Sequence, residues 1–401
     1  MSSTLGSQRK LIEILLIFLT VFSALLFRRY DAFTNPQLWA EDGTVFLQQY
    51  INSGTSSLFM PYAGYLHTIP RMVVFMFGGV NLSHIPLCYN MATFIIVLLV
   101  AYSLWQSASY LGLNNRILYA TAFLFLPIGA EMFMNITNII WFTALYLVNF
   151  IFIGHKHGNK YLNILFVLLA GLTGPFSLLL SPIVLLLILT ERKNITREKL
   201  IPFLLILTCG VIQLYFIKQA GKIARGMPGD PESIHLLRLF TNNVSDVLFL
   251  NSGYLPEMSP LKKLALSLVA LGYFVYLFFN RYMQISIRGK FILIITPIVF
   301  LGSFIAAFWP NESKVLALNC PRYYFIPYAC IAWVFILSYD QKIKIHHIAI
   351  YMAFFLLQSK REISSFPDKH WKEEVLQYKN GQRQDIDINP EGWKVTLPPK
   401  K

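Results

Sequence analysis

The feature that most narrows the choice of fold is a succession of nearly uncharged apolar runs, each approaching the length that crosses a lipid bilayer. Leu11–Phe27, Leu87–Trp105, Ile117–Gly129, Ile139–Ile153, Ile201–Ile217, Leu264–Phe279, Phe291–Trp309, Phe325–Leu337 and Ile345–Leu357 are of this kind. Several are short, which predicts tilt and local bilayer thinning. Tyr161–Thr190 is longer, and as one helix it would rise roughly 45 Å, too far for one upright span and too little for two full ones. Its flanks are basic on both sides, with Lys156 and Lys160 before it and Arg192, Lys193, Arg197 and Lys199 after it. The chain must therefore return to the side it left, with Gly171, Gly174 and Pro175 breaking the run at its apex. That predicts two short helices there and about eleven spans in an all-α polytopic membrane protein.

Composition agrees. Of 401 residues, 55% are hydrophobic and only 13% charged, far from soluble usage. A net charge of +14 would suggest nucleic acid in a soluble protein. In short loops between apolar runs, however, Lys and Arg are topology signals, and nucleic acid is not an expected partner. With the amino terminus inside, the cytoplasmic segments hold 14 of the 34 Lys and Arg against three acids, and the outer segments hold 20 against 16. The first run, followed by Arg28 and Arg29 and lacking an A-x-A site, suits an uncleaved anchor. Eleven spans put the carboxyl terminus outside. The cysteines at 88, 209, 320 and 330 show no metal spacing and read as packing residues.

The loops are unequal. Every cytoplasmic connection is short, and no Walker loop or GxGxxG occurs, which disfavours an ATP-driven pump or a cytoplasmic nucleotide-sugar enzyme. Residues 1–357 form the expected transmembrane domain, with outer loops 28–86, 218–263 and 310–324. Residues 358–401 form a short outer tail, too polar to span and too small for a core of its own, which is expected to fold against the outer loops. In the first loop, Thr44–Ile51 and Pro70–Phe77 are expected as interfacial helices. In the second, Asp230-Pro231-Glu232 opens a helix with Leu236, Leu237, Phe240, Val244, Val247 and Leu248 on one face, expected to pack on the bundle.

The sharpest constellation is Asn35-Pro36-Gln37-Leu38-Trp39-Ala40-Glu41-Asp42-Gly43, followed by Pro61-Tyr62-Ala63-Gly64-Tyr65-Leu66-His67. Adjacent carboxylates among aromatics at a membrane face are costly to desolvate unless they bind a cation, pair with a base or move protons. Alternatively, Asp42 caps the helix starting near Thr44 and Glu41 is solvated.

These stretches, together with Pro127-Ile128-Gly129-Ala130-Glu131, Asn135-Ile136-Thr137-Asn138, Arg322-Tyr323-Tyr324-Phe325-Ile326-Pro327 and Ile388-Asn389-Pro390-Glu391-Gly392-Trp393, resemble the GT-C membrane glycosyltransferases. The chain is most similar to the bacterial and phage-type O-antigen glucosyltransferases that use a polyprenyl-phosphate sugar. It departs from larger GT-C enzymes in lacking a sizeable carboxyl-terminal soluble domain. The resemblance implies transfer of a sugar, glucose being the expected one, from a polyprenyl-phosphate donor to a surface glycan such as the O-antigen of lipopolysaccharide. It also implies a bacterial inner membrane, lipid contacts, a periplasmic site and no metal or other cofactor.

Such a transfer needs a carboxylate to take the acceptor's proton and cations to hold the leaving phosphate. The expected base is Glu41 or Asp42. Expected phosphate holders are Arg322, Arg71 and His67, and more weakly Arg225 or Lys222. Glu131, Asn135, Asn138 and Tyr65 are expected to meet the acceptor's hydroxyls. Single displacement would invert the anomeric centre. Two rival expectations remain: a transporter or flippase for a lipid-linked sugar, which calls for broken helices and polar groups near the bilayer midplane, and a non-catalytic membrane scaffold, which needs no acidic pair at the interface.

Overall fold

The computed structural model describes residues 2–126, 128–153, 159–191, 196–220, 260–279, 285–308, 321–340 and 365–399. Pro127, most of the segment 218–263 with Lys222, Arg225 and the helix expected there, Cys320, the Ile345–Leu357 run and the start of the tail lie outside the described residues.

The described chain is mostly helical. Its helices are α1 (Ser2–Arg28), α2 (Asp31–Thr34), α3 (Gln48–Ser53), α4 (Thr68–Phe77), α5 (Ile85–Tyr110), α6 (Arg116–Thr121), α7 (Ile139–Ile153), α8 (Lys160–Gly171), α9 (Phe176–Glu191), α10 (Arg197–Ala220), α11 (Pro260–Phe279), α12 (Ile287–Phe308), α13 (Phe325–Tyr339) and α14 (Trp371–Lys379). Among the described residues, three stretches are long and apolar enough to cross a membrane: Gln8–Arg28, Leu82–Tyr110 and Arg197–Ala220. Several other apolar helices, such as Ile139–Ile153 and Phe176–Glu191, are shorter. The long run at 161–190 breaks where its glycines predict, with α8 ending at Gly171 and α9 beginning at Phe176. Gly174 takes φ +85° at the break, a conformation glycine adopts freely.

Large apolar side chains face outward on the long helices, among them Leu11, Leu15 and Leu19 on α1, Ile95 on α5 and Val211 on α10. Exposed apolar stripes of this extent suit contact with lipid. At the centre stands α7, buried from Ile139 to Phe152 and touching α5, α8, α9, α12 and α13. Its sequence is apolar on every side, as a helix without a solvent face requires.

A second, smaller core caps one end of the bundle. It joins the segment 28–86 through Leu38, Phe46 and Val73 to the tail through Trp371, Ile388 and Val395. The tail supplies α14 and an antiparallel hairpin of β1 (Asp385–Ile388) and β2 (Trp393–Thr396), with Ile386 opposite Val395. This hairpin corrects the all-α expectation. Each strand alternates apolar and polar residues, and the apolar set of each faces the cap.

Candidate functional site

The site is built where α1 ends. Arg28 and Arg29, which in sequence read as flanking charges, are 1% and 0% exposed. Arg28 donates to the carbonyls of Ile128 (2.7 Å) and Leu126 (2.6 Å). Arg29 grips Asp31 through two hydrogen bonds (3.0 and 2.8 Å), donates to the Phe133 carbonyl (2.9 Å), and stacks over Phe366 of the tail. Two buried guanidiniums thus hold the turn that carries Glu131. Carbonyls and one carboxylate meet these guanidiniums, which helps a buried charge to be tolerated.

The tail fixes the acidic segment from the other side. Trp39 stacks on Phe366 with centroids 4.4 Å apart, and the Ala40 amide donates to the Asn389 carbonyl. Gln48 exchanges two hydrogen bonds of 2.7 Å with the backbone of Thr396. A Cβ at Gly43 would come within 2.6 Å of Ile388 and 2.7 Å of Val395, so the hairpin seats directly on this glycine. Ala40, Ala63 and Met134, all in loops of the site, adopt positive φ (27°, 51° and 59°). Such strain in non-glycine residues persists only where the surroundings impose it, and it concentrates at functional sites.

The two carboxylates part company. Asp42 is 2% exposed and accepts from the Thr137 hydroxyl, the Thr137 amide (2.9 Å) and the Ile136 amide (3.2 Å). It caps no helix of its own; it ties the first loop to the 131–138 turn. The Asp42–Leu47 segment is a π-helical turn leading into α3, with Phe46 and Leu47 buried beneath the tail, so the expected Thr44–Ile51 interfacial helix is instead part of the cap core. Burial pushes the Asp42 carboxyl up to about 7, against the pull of the Thr137 and Ile136 hydrogen bonds. Glu41 is only half-buried, and its carboxylate accepts from the Tyr62 hydroxyl at 3.3 Å.

Opposite charges stand nearby. Arg322 pairs with Glu131 at 3.5 Å, and both side chains keep about a third of their surface open (35% and 33%). The Tyr62 and Tyr65 hydroxyls lie in the field of both Glu41 and Arg322, with Tyr323 close by. Burial first, and then the neighbouring negative groups, raise both phenols, so they act as neutral donors. The site thus assembles Glu41, Tyr62, Tyr65, Glu131, Arg322 and Tyr323 from three distant parts of the chain.

Four of the expected site residues stand differently. Asn135 and Asn138 are 1% and 2% exposed and spend their amides on the turn, both donating to the Glu131 carbonyl (2.6 and 2.8 Å). They shape the loop bearing Glu131 and present no face to an acceptor. His67 and Arg71, each 2% exposed, lie beneath the surface rather than beside Arg322 in the open. Burial, then the Arg71 charge, lower the His67 imidazole to about 3, so it is neutral. Neither of its nitrogens makes a hydrogen bond among the described residues, although the Tyr62 backbone is near enough to favour the proton. Arg71 donates to Gln49 (2.5 Å) and lies over the Phe46 ring, with Nε and Nη1 buried without hydrogen bonds among the described residues. Tyr65 links the two groups, its ring 4.8 Å from that of His67.

The helix break at 172–175 supports this loop from below. Thr173 accepts from the Ile69 amide (3.0 Å), Thr68 donates to the Leu172 carbonyl (2.9 Å), and the buried Gln213 of α10 accepts from the Leu66 amide (2.9 Å). No protein-family model matches the chain, and no curated protein matches it in sequence.

Sequence reasoning missed Arg28, Arg29 and Asp31. The one available signal was an acid two residues after a paired arginine at the end of an apolar run. Nothing in the sequence distinguishes such a pair from arginines that reach lipid headgroups.

Proposed function

We propose that the chain is a membrane glycosyltransferase that moves a sugar, with glucose the first choice, from a polyprenyl-phosphate carrier to a surface glycan. Glu41 is the general base, and Arg322 holds the leaving phosphate. The observation that carries this is the division of labour between adjacent acids: Asp42 is spent on three hydrogen bonds, while Glu41 stays accessible across from the open Glu131–Arg322 pair. In the reaction the acceptor hydroxyl gives its proton to Glu41 as its oxygen bonds to the anomeric carbon. The bond from that carbon to the phosphate oxygen breaks, and the phosphate leaves with its electron pair against Arg322. One displacement inverts the anomeric centre. The Tyr62 hydroxyl orients the carboxylate, and Glu131 holds Arg322 and meets acceptor hydroxyls at the same mouth. No metal or cofactor enters this scheme.

A transporter or flippase would need polar groups free to meet cargo at a helix break. At the break between α8 and α9, Thr173 is engaged with the backbone of the first outer loop.

The test is transfer from a polyprenyl-phosphate sugar by purified protein. Glu41→Gln keeps size and removes the base, so it should express normally and lose roughly a hundredfold or more in rate. Wild-type transfer by this variant would end the proposal. The orientation has its own test: in a cysteine-free background, cysteines at the exposed Ser56 and Ser365 should react with an impermeant thiol reagent from outside, and one at Asn159 should not.

A further inference from the structure

A second charged cluster lies at the other end of α1. Lys10 and Arg28 are separated by roughly 27 Å of helical rise, about one hydrocarbon thickness. The cluster and the Glu41 site therefore belong to opposite faces of the same slab. Here α1, the end of α5 and the start of α6 border an open cavity of about 430 Å³, lined by Arg9, Lys10, Glu13, Trp105, Arg116 and neighbouring residues of α5.

The cavity is organised by one acid. Glu13, 9% exposed although it lies in an apolar helix, accepts from the Trp105 indole (2.8 Å) and from Arg9 Nε (3.1 Å), and pairs with Arg116 Nη1 (3.6 Å). The Arg116 Nε donates to the Leu113 carbonyl (2.9 Å), which fixes the plane of that guanidinium. Lys10 is exposed and has no partner among the described residues. Among the described residues that line the cavity, three cations around one carboxylate leave two positive charges in excess. The Ser109 hydroxyl adds a buried polar atom with no hydrogen bond among the described residues. A neutral or cationic ligand would leave that excess uncompensated, whereas a phosphate would meet a preset guanidinium, a second guanidinium and an ammonium, with Trp105 and Tyr110 in the wall.

We infer that this cavity binds the phosphate of an anionic membrane lipid whose headgroup lies at the face opposite the Glu41 site. The site is independent of the proposed transfer reaction. It anchors α1 against α5 and α6 through a ligand that bridges all three helices.

The experiment is a lipid titration of the full chain in neutral detergent, read by native mass spectrometry, with phosphatidylglycerol, phosphatidylcholine and inorganic phosphate as probes. Phosphatidylglycerol should be retained far more tightly than phosphatidylcholine. Lys10→Gln, which breaks no contact of the fold, should weaken it about five-fold, the usual contribution of one basic group at an anionic headgroup. Glu13→Gln should tighten it by a similar factor, because the excess charge rises; a purely structural Glu13 would give no gain. Lys199→Gln, outside the cavity, should leave retention unchanged. Unchanged affinity in both Lys10→Gln and Glu13→Gln, or equal retention of phosphatidylcholine, overturns the site. Displacement of phosphatidylglycerol by inorganic phosphate at similar concentration would overturn the lipid assignment in favour of a soluble phosphate.

Discussion

The two ends of α1 each carry a charged cluster, and they are built in opposite ways. At the Arg28 end, Arg29 and Asp31 form a fully buried pair whose remaining bonds reach 104 residues along the chain to Phe133 and 335 to Phe366. At the Lys10 end, Arg9 is 68% exposed and its bond to Glu13 spans a single helical turn. The first cluster is enclosed by the tail and the 131–138 turn, so its geometry is set before any ligand arrives. The second is open, with Lys10 exposed and, among the described residues, only the Arg116 guanidinium held by a backbone carbonyl outside its own ion pair. Pre-organisation of the first kind suits chemistry, because charges held in place need no rearrangement at the transition state. Openness of the second kind suits exchange with the membrane.

The largest effect should come from the buried pair. Arg29→Ala leaves Asp31 uncompensated inside the cap and should cost about 3–5 kcal/mol, read by thermal unfolding in detergent. Arg9→Ala should change stability by less than about 1 kcal/mol, since exposed pairs contribute little. If the two variants melt alike, the contrast between the ends is wrong.

Within the cap, Asp42→Asn should cost about 1–3 kcal/mol. A side-chain amide can still accept from Thr137, but its nitrogen then faces the Ile136 amide, donor against donor. The pH dependence of that variant sharpens the point. Asp42 has a folded value of about 7 against 3.8 unfolded, so the native state holds the extra proton and stability falls as pH rises through that window. His67, at about 3 folded against 6.5 unfolded, acts oppositely: the unfolded state binds the proton, and stability rises with pH between those values. The wild-type profile should therefore be nearly flat from pH 4 to 6.5. Asp42→Asn should expose the rise and His67→Gln the fall, both measurable by unfolding at stepped pH. Flat profiles in both variants would mean that neither group is desolvated as described.

A smaller effect is expected at Tyr62. Tyr62→Phe removes the hydroxyl that orients Glu41 and should lower transfer by about ten-fold or less, without the loss that Glu41→Gln brings, because the base itself remains. The smallest difference is in salt. Raising ionic strength from 0.1 to 1 M shortens the screening length from about 10 to 3 Å. Retention of an anionic lipid at the Lys10 end should weaken, while the melting contribution of the Arg29–Asp31 pair should barely move.

What sequence alone determined is the part of the molecule that periodicity and composition control. The apolar stretches that become α1, α5 and α10, the break between α8 and α9, the polar tail and the acidic pair after α1 all follow from patterns a few residues long. Local chemistry is enough there, since an apolar run can hide its backbone only as a helix, and Gly174 with Pro175 cannot continue one. The roles of particular charges were decided by tertiary structure. Glu41 and Asp42 are neighbours with the same functional group, and only the arrival of Ile136 and Thr137 makes one a structural anchor and leaves the other accessible. Arg28 and Arg29 read like any arginines at a membrane edge until the 126–133 carbonyls and Phe366 close over them. The tail is too short to predict as a domain, yet Ile388 and Val395 of its hairpin close on Gly43 beside the acidic pair. In each case the deciding contact joins residues scores to hundreds of positions apart. Desolvation and hydrogen-bond partners are properties of that contact, and they are absent from either segment taken alone.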